Sequence, residues 1–179
     1  MHRPAAIAAT RSAILGILIS FLIGELAGAP LTDAEQRGRL IYQEGRTSSG
    51  YPFMVKLPYS PAPLAGRAFP CAACHGADGR GGSEGGIDVP DIRWQTLTKP
   101  HDTAKRTRGP YTKRALRDAL TRGLDPARNP LNPVMPRFQI SLTDFDHLFA
   151  YLQRLGGNLQ ASGLQPSGAG HARPPPEPQ

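Results

Sequence analysis

The sequence predicts a small all-α domain. Three amphipathic segments with cap residues read as helices, no segment reads convincingly as a strand, and no internal repeat is found. Long connections rich in glycine and proline join them; the chain has 179 residues, of which 20 are Gly and 19 are Pro. These crowd into loops and the C-terminal tail, so residues able to build a core lie mainly within 32–155. A unit of about 120 residues has a modest protein-only core, and a buried cofactor would supply the missing apolar contact.

Residues 32–44 (TDAEQRGRLIYQE) form the first expected helix. Thr32 or Asp33 can cap it, Glu35 sits where a capping box needs it, and Gly45 ends it. Gly38 and Tyr42 lie four apart on one face. The second helix is expected over 112–122, where Ala115, Leu116, Ala119 and Leu120 make a narrow stripe and Gly123 suits the C-terminal cap. The third runs over 144–155, with Phe145, Leu148, Phe149, Leu152 and Leu155 on one side, Thr143 and Asp146 as a possible capping box, and Gly156-Gly157 as its stop. Residues 46–70 and 76–110 are expected to be irregular, and four prolines exclude regular helix from 124–140.

The ends read as processing and tail segments. His2, Arg3 and Arg11 precede an 11-residue apolar run at 13–23, followed by Ala27-Gly28-Ala29, so residues 1–29 are expected to be an export signal. An uncleaved anchor is the alternative, although about 20 apolar residues are needed to span a bilayer. The domain is then 30–157, and residues 158–179, ending in RPPPEPQ, read as a disordered tail. Without residues 1–29 the formal charge falls from +7 to +6. In an exported protein this excess favours acidic partner surfaces over nucleic acid. Eight of the cations fall within 99–122, against only Asp102 and Asp118; that stretch is either a docking patch or a solvated face.

Cys71 and Cys74 are the only cysteines. A disulfide between them would close a tiny loop and tie down little chain entropy. They stand in Cys71-Ala72-Ala73-Cys74-His75, the C-x-x-C-H pattern of c-type haem attachment. Two thiols at this spacing can each add across a haem vinyl group, and the next residue, His75, can then ligate the iron. A thioredoxin-like C-x-x-C would follow a strand of an α/β sheet, and a zinc site would need further ligands; the sequence offers neither. For a sixth ligand the candidates are Met135, in NPVMPRF, and Met54, with His101 and His147 as nitrogen rivals. Flanking prolines are expected to hold Met135 on stiff, extended backbone, Met54 lies in a loose loop, and His147 lies off the apolar stripe of the last helix and is expected to be exposed. Ordinary core filling is the other use of Met135.

CAACHGADGRGG, then VPDI, then VMPRF, then LTDFDHLFAYLQRLG resemble, in this order, the mono-haem class I cytochrome c family, over residues 38–155. The resemblance implies an all-α fold of three to five helices wrapped around one covalent haem c. It implies that Gly38 and Tyr42 cross the last helix at Tyr151, and that Met135 is the sixth ligand beside His75. It further implies that the Pro90 carbonyl accepts the His75 ring N–H and that Trp94 bonds a haem propionate, packing in the core being the alternative for Trp94. Arg93 could reach a propionate or remain a surface cation. One departure from the family is the long segment 44–70 before the cysteines, whose Tyr51, Phe53, Tyr59 and Phe69 predict packing onto the body near the haem. The function so implied is that of a periplasmic electron carrier rather than an enzyme, passing electrons between a partner dehydrogenase or other oxidoreductase and an acceptor. The alternative is a haem subunit or sensor with an open sixth site. Membrane contact is expected only if the signal stays uncleaved.

Overall fold

The computed structural model describes residues 29–49, 53–104 and 106–155. Residues 1–28 of the expected signal, the tail and Tyr51 lie outside them.

All three expected helices form. Helix α1 (Asp33–Glu44) has the full capping box: the Glu35 N–H donates to Thr32 Oγ1 at 3.3 Å, and the Thr32 N–H donates to Glu35 Oε2 at 2.7 Å. Such a cap stabilises a helix by about 1 kcal/mol. Helix α4 (Lys113–Arg122) starts from Thr112 and stops at Gly123, whose φ of 69° is left-handed. Helix α5 (Leu142–Arg154) begins two residues earlier than expected: Ser141, not Thr143, is the cap, its hydroxyl accepting from the Asp144 N–H at 3.0 Å. Two short α-helices join them among the described residues, α2 (Cys71–His75) and α3 (Trp94–Leu97).

Helices α1 and α5 cross where Gly38 faces the His147 carbonyl and the Tyr151 side chain; a Cβ at Gly38 would collide with both. The Tyr42 and Tyr151 rings meet beside it with centroids 5.5 Å apart, tilted by 54°. Both tyrosines are almost wholly buried, with Ile41, Leu148 and Leu155 around them. The missing side chain and the paired rings are one device, because close approach is what brings the rings into contact.

The all-α expectation needs correction. Seven short strands are present among the described residues: β1 (Met54–Lys56), β2 (Leu64–Ala65), β3 (Gly82–Glu84), β4 (Ile87–Val89), β5 (His101–Thr103), β6 (Arg106–Arg108) and β7 (Arg137–Gln139). Strands β3–β4 and β5–β6 are hairpins, and β2-β1-β7 form a three-stranded antiparallel sheet. Each strand is only two or three residues long, too short for an alternating pattern to stand out from a loop.

The segment 44–70 belongs to the body. Strand β1 pairs with β7 in the register Met54–Gln139, Val55–Phe138, Lys56–Arg137. Phe53, Val55 and Leu57 are buried, and the Phe53 ring lies 5.9 Å from that of Phe138. Packing onto the body was expected; a strand that reaches residues 137–139 was not.

Candidate functional site

Helix α2 is one turn long and carries Cys71, Cys74 and His75. Pro70 precedes it, fixing the extended entry, and Gly76 ends it. The two cysteines are not joined in a disulfide, Cys71 being half-buried and Cys74 exposed. Burial pushes the Cys71 thiol up to about 12. A redox dithiol needs the opposite, a thiolate at neutral pH, so the thioredoxin reading loses its chemistry as well as its sheet.

His75 is buried. Its Nδ1 lies 3.0 Å from the Pro90 carbonyl oxygen, which can only accept; Nδ1 is therefore the protonated nitrogen, and Nε2 keeps its lone pair. Burial lowers the imidazole pKa and the Pro90 contact partly offsets this, so the ring is neutral at neutral pH. A ring held this way is oriented and made more basic toward a metal. Nε2 has no hydrogen-bond partner among the described residues.

The Pro90 carbonyl is itself placed by a residue to which the sequence assigned no role. The Gly81 N–H donates to the His75 carbonyl at 2.9 Å. With φ of 71°, Gly81 lies against Val89 and Pro90, and a Cβ there would strike the carbonyl oxygens of both. The GRGG run held the signal, since a glycine between two turn-forming stretches marks close backbone approach. A second link comes from α1: the Tyr42 hydroxyl donates to the Gly76 carbonyl at 2.7 Å, tying the helix crossing to the residue after His75.

Trp94 opens α3 and meets Phe149 of α5 edge-on, centroids 4.8 Å apart. That packing supports the core reading, while Trp94 is half-exposed and its indole N–H has no hydrogen-bond partner among the described residues, which leaves it free for an acceptor. Arg93 is engaged elsewhere: it pairs with Asp91 at 2.5 Å, and Thr96 also donates to that carboxylate, whose pKa these bonds pull down.

Met135 is half-buried against the core. Its backbone departs from the expected extended form. The Met135 N–H donates to the Asn132 carbonyl at 3.1 Å and the Val134 N–H to Asn132 Oδ1 at 3.0 Å, so Asn132-Pro133-Val134-Met135 is a tight turn. Proline at the second position of a turn is pre-set for it, and an Asn side chain closes it further. Of the rivals, Met54 is half-buried in β1 and His101 is exposed on β5. His147 is not out in solvent as expected: it is half-buried at the α1–α5 crossing, its Nδ1 buried without a partner among the described residues.

Two thiols on one turn, an imidazole with one nitrogen tied and the other free, and half-buried apolar side chains at Ile92, Trp94, Met135 and Phe149 fit a haem c. No group of three His, Cys, Asp or Glu side chains among the described residues could hold a metal ion, which leaves the zinc reading without ligands.

Much of the basic stretch 99–122 is spent within the protein. Arg106 bonds Asp125 at 2.8 Å, and Arg108 donates to the carbonyls of Lys99 and Gly109 and lies over the Tyr111 ring. Lys113 pairs with Asp146 at 2.9 Å and Arg122 with Asp118 at 3.7 Å. Lys99, Arg114 and Arg117 are exposed and form no ion pair among the described residues.

Compared with known proteins, the family model described as cytochrome c matches residues 67–156, half of the chain. No curated protein and no solved structure matches it.

Proposed function

We propose, from the premise that this chain belongs to the cytochrome c family, that it is an exported, periplasmic one-electron carrier with one haem c between His75 and Met135. The observation that carries this reading is His75: buried, with Nδ1 on the Pro90 carbonyl, next in sequence to a pair of cysteines that form no disulfide. A haem c held there supplies the one-electron couple. The chain's own residues do the rest. Cys71 and Cys74 would hold the group by thioethers, so it is not lost outside the cell. His75 is held in its ligating tautomer by Pro90. Met135 would supply a soft thioether, which favours the reduced state relative to a second nitrogen. Trp94 would offer its N–H to a propionate. With His75 and Met135 both ligating, the iron would have no place for a substrate, which would separate a carrier from an enzyme. Lys99, Arg114 and Arg117 supply the charge that would steer an acidic partner, at a rate that falls with salt.

Intact mass and absorption of the mature protein test this. One covalent haem per chain is expected, with a sulfur-to-iron band in the oxidised spectrum and no rapid carbon monoxide binding after reduction. Rapid binding would replace the carrier by the open-site reading, and bare polypeptide would end both.

A further inference from the structure

The residue after Met135-Pro136 is Arg137, the first residue of β7. Its guanidinium does not reach for solvent. Nη1 donates to the Met135 carbonyl at 2.5 Å, Nη2 donates to the Leu131 carbonyl at 3.5 Å, and the planar group lies where a Cβ of Gly123 would be. One side chain thus holds both ends of the turn that presents Met135 and seats it on the end of α4. No carboxylate pairs with it among the described residues. A half-buried cation without a counter-ion costs stability, which a merely structural arginine on a surface turn would avoid by facing water.

The seat is rigid on both flanks. Opposite Arg137 in the ladder is Lys56, so the segment 44–70 fixes the strand from which the arginine leaves. Before the turn, the Leu131 N–H donates to the Gly123 carbonyl at 2.8 Å, and Asp125 ties down the residues between. Asp125 is buried; Oδ1 accepts from the N–H groups of Ala127 and Asn129, and Oδ2 from Arg106 and the Asn129 amide.

We propose that Arg137 is a positioning residue for Met135: its fork of donors fixes the turn so that the sulfur stays on the iron, and β1 of the segment 44–70 is the splint that holds the arginine in place. This rests on the His75/Met135 reading above. An arginine suits the task because its planar fork reaches two carbonyls at once, where a lysine reaches one.

The test uses the oxidised holoprotein and imidazole, which competes with the sulfur for iron. Arg137→Met is expected to bind imidazole about tenfold more tightly than the parent, the effect of losing one charged hydrogen bond, and to weaken the sulfur-to-iron band. Arg137→Lys, with one donor kept, is expected to fall between the two, and it carries the test should Arg137→Met fail to accumulate. Arg128→Gln, an exposed arginine of the neighbouring loop, is the control that leaves both readouts unchanged. Met135→Ala separates the two claims. If it abolishes the band while the Arg137 variants keep the parent's band and imidazole affinity, the positioning role is wrong and the ligand reading stands. If Met135→Ala also changes nothing, the ligand reading itself is wrong.

Discussion

The two sides on which this protein would grip its haem are built by different means. The histidine side is local: Cys71, Cys74, His75, Gly81 and Pro90 fall within twenty residues of sequence, and the bonds that orient the imidazole run between neighbours in the chain. The methionine side is assembled from afar. Residues 131–135 are held by Arg137, the loop before them by Asp125 and Arg106, and the strand after them by β1 from a segment some eighty residues earlier. The difference is one of loop closure. A short glycine-rich loop closes at small entropic cost and carries its own turn signals, whereas distant segments must be paired by the whole fold. The first side can be read from a motif; the second needs coordinates.

Substitutions ordered by expected size sharpen or break this contrast. The largest effect belongs to His75→Ala, which should remove the iron ligand on the local side and leave protein without a normal low-spin spectrum; a spectrum like the parent's would refute the histidine assignment. Next is Asp125→Ala on the assembled side. It strips a buried carboxylate from Arg106 and from two N–H groups, and should cost about 3 kcal/mol in urea unfolding, the Arg106 part being discounted because that side chain is a third exposed. It should also tighten imidazole binding, as loosening the turn demands. A cost within about 0.5 kcal/mol, the range of ordinary surface changes, would mean that the remote brace is not one.

Gly81→Ala comes third. The new Cβ meets the Val89 and Pro90 carbonyls at a left-handed φ, so a loss of about 1–3 kcal/mol in thermal unfolding is expected. Its spectral effect should fall on the histidine, with imidazole affinity at Met135 unchanged; a change there would show that the two sides are coupled. The smallest effect is Tyr59→Ser. Tyr59 is 70 % exposed at the tip between β1 and β2, and its loss should stay within about 0.5 kcal/mol, leaving the splint intact. A larger drop would place Tyr59 in the packing of the segment.

The sequence located α1 by its capping box, its glycine stop and the Gly38–Tyr42 spacing, and α4 and α5 by a 3.6-residue apolar stripe and a cap, signals contained in a dozen consecutive residues. It also found the Gly38–Tyr42–Tyr151 crossing through the family resemblance, and the His75–Pro90 pair likewise. It missed β1 and β7, since three residues are too few to display a period. The turn at Met135 was misjudged for a related reason: prolines restrict φ equally in extended backbone and in turns, and the Asn132 side chain decides between them.

What the sequence by itself determined is the C-x-x-C-H motif and the helices: two thiols, an imidazole and three capped helical segments, each complete within one short stretch of chain. What only the tertiary structure decided is which carbonyls Arg137 reaches, where Asp125 is buried and which strand the segment 44–70 joins. Those depend on the separation of groups far apart along the chain. That separation is set by packing, and a local pattern of residue types carries no record of it.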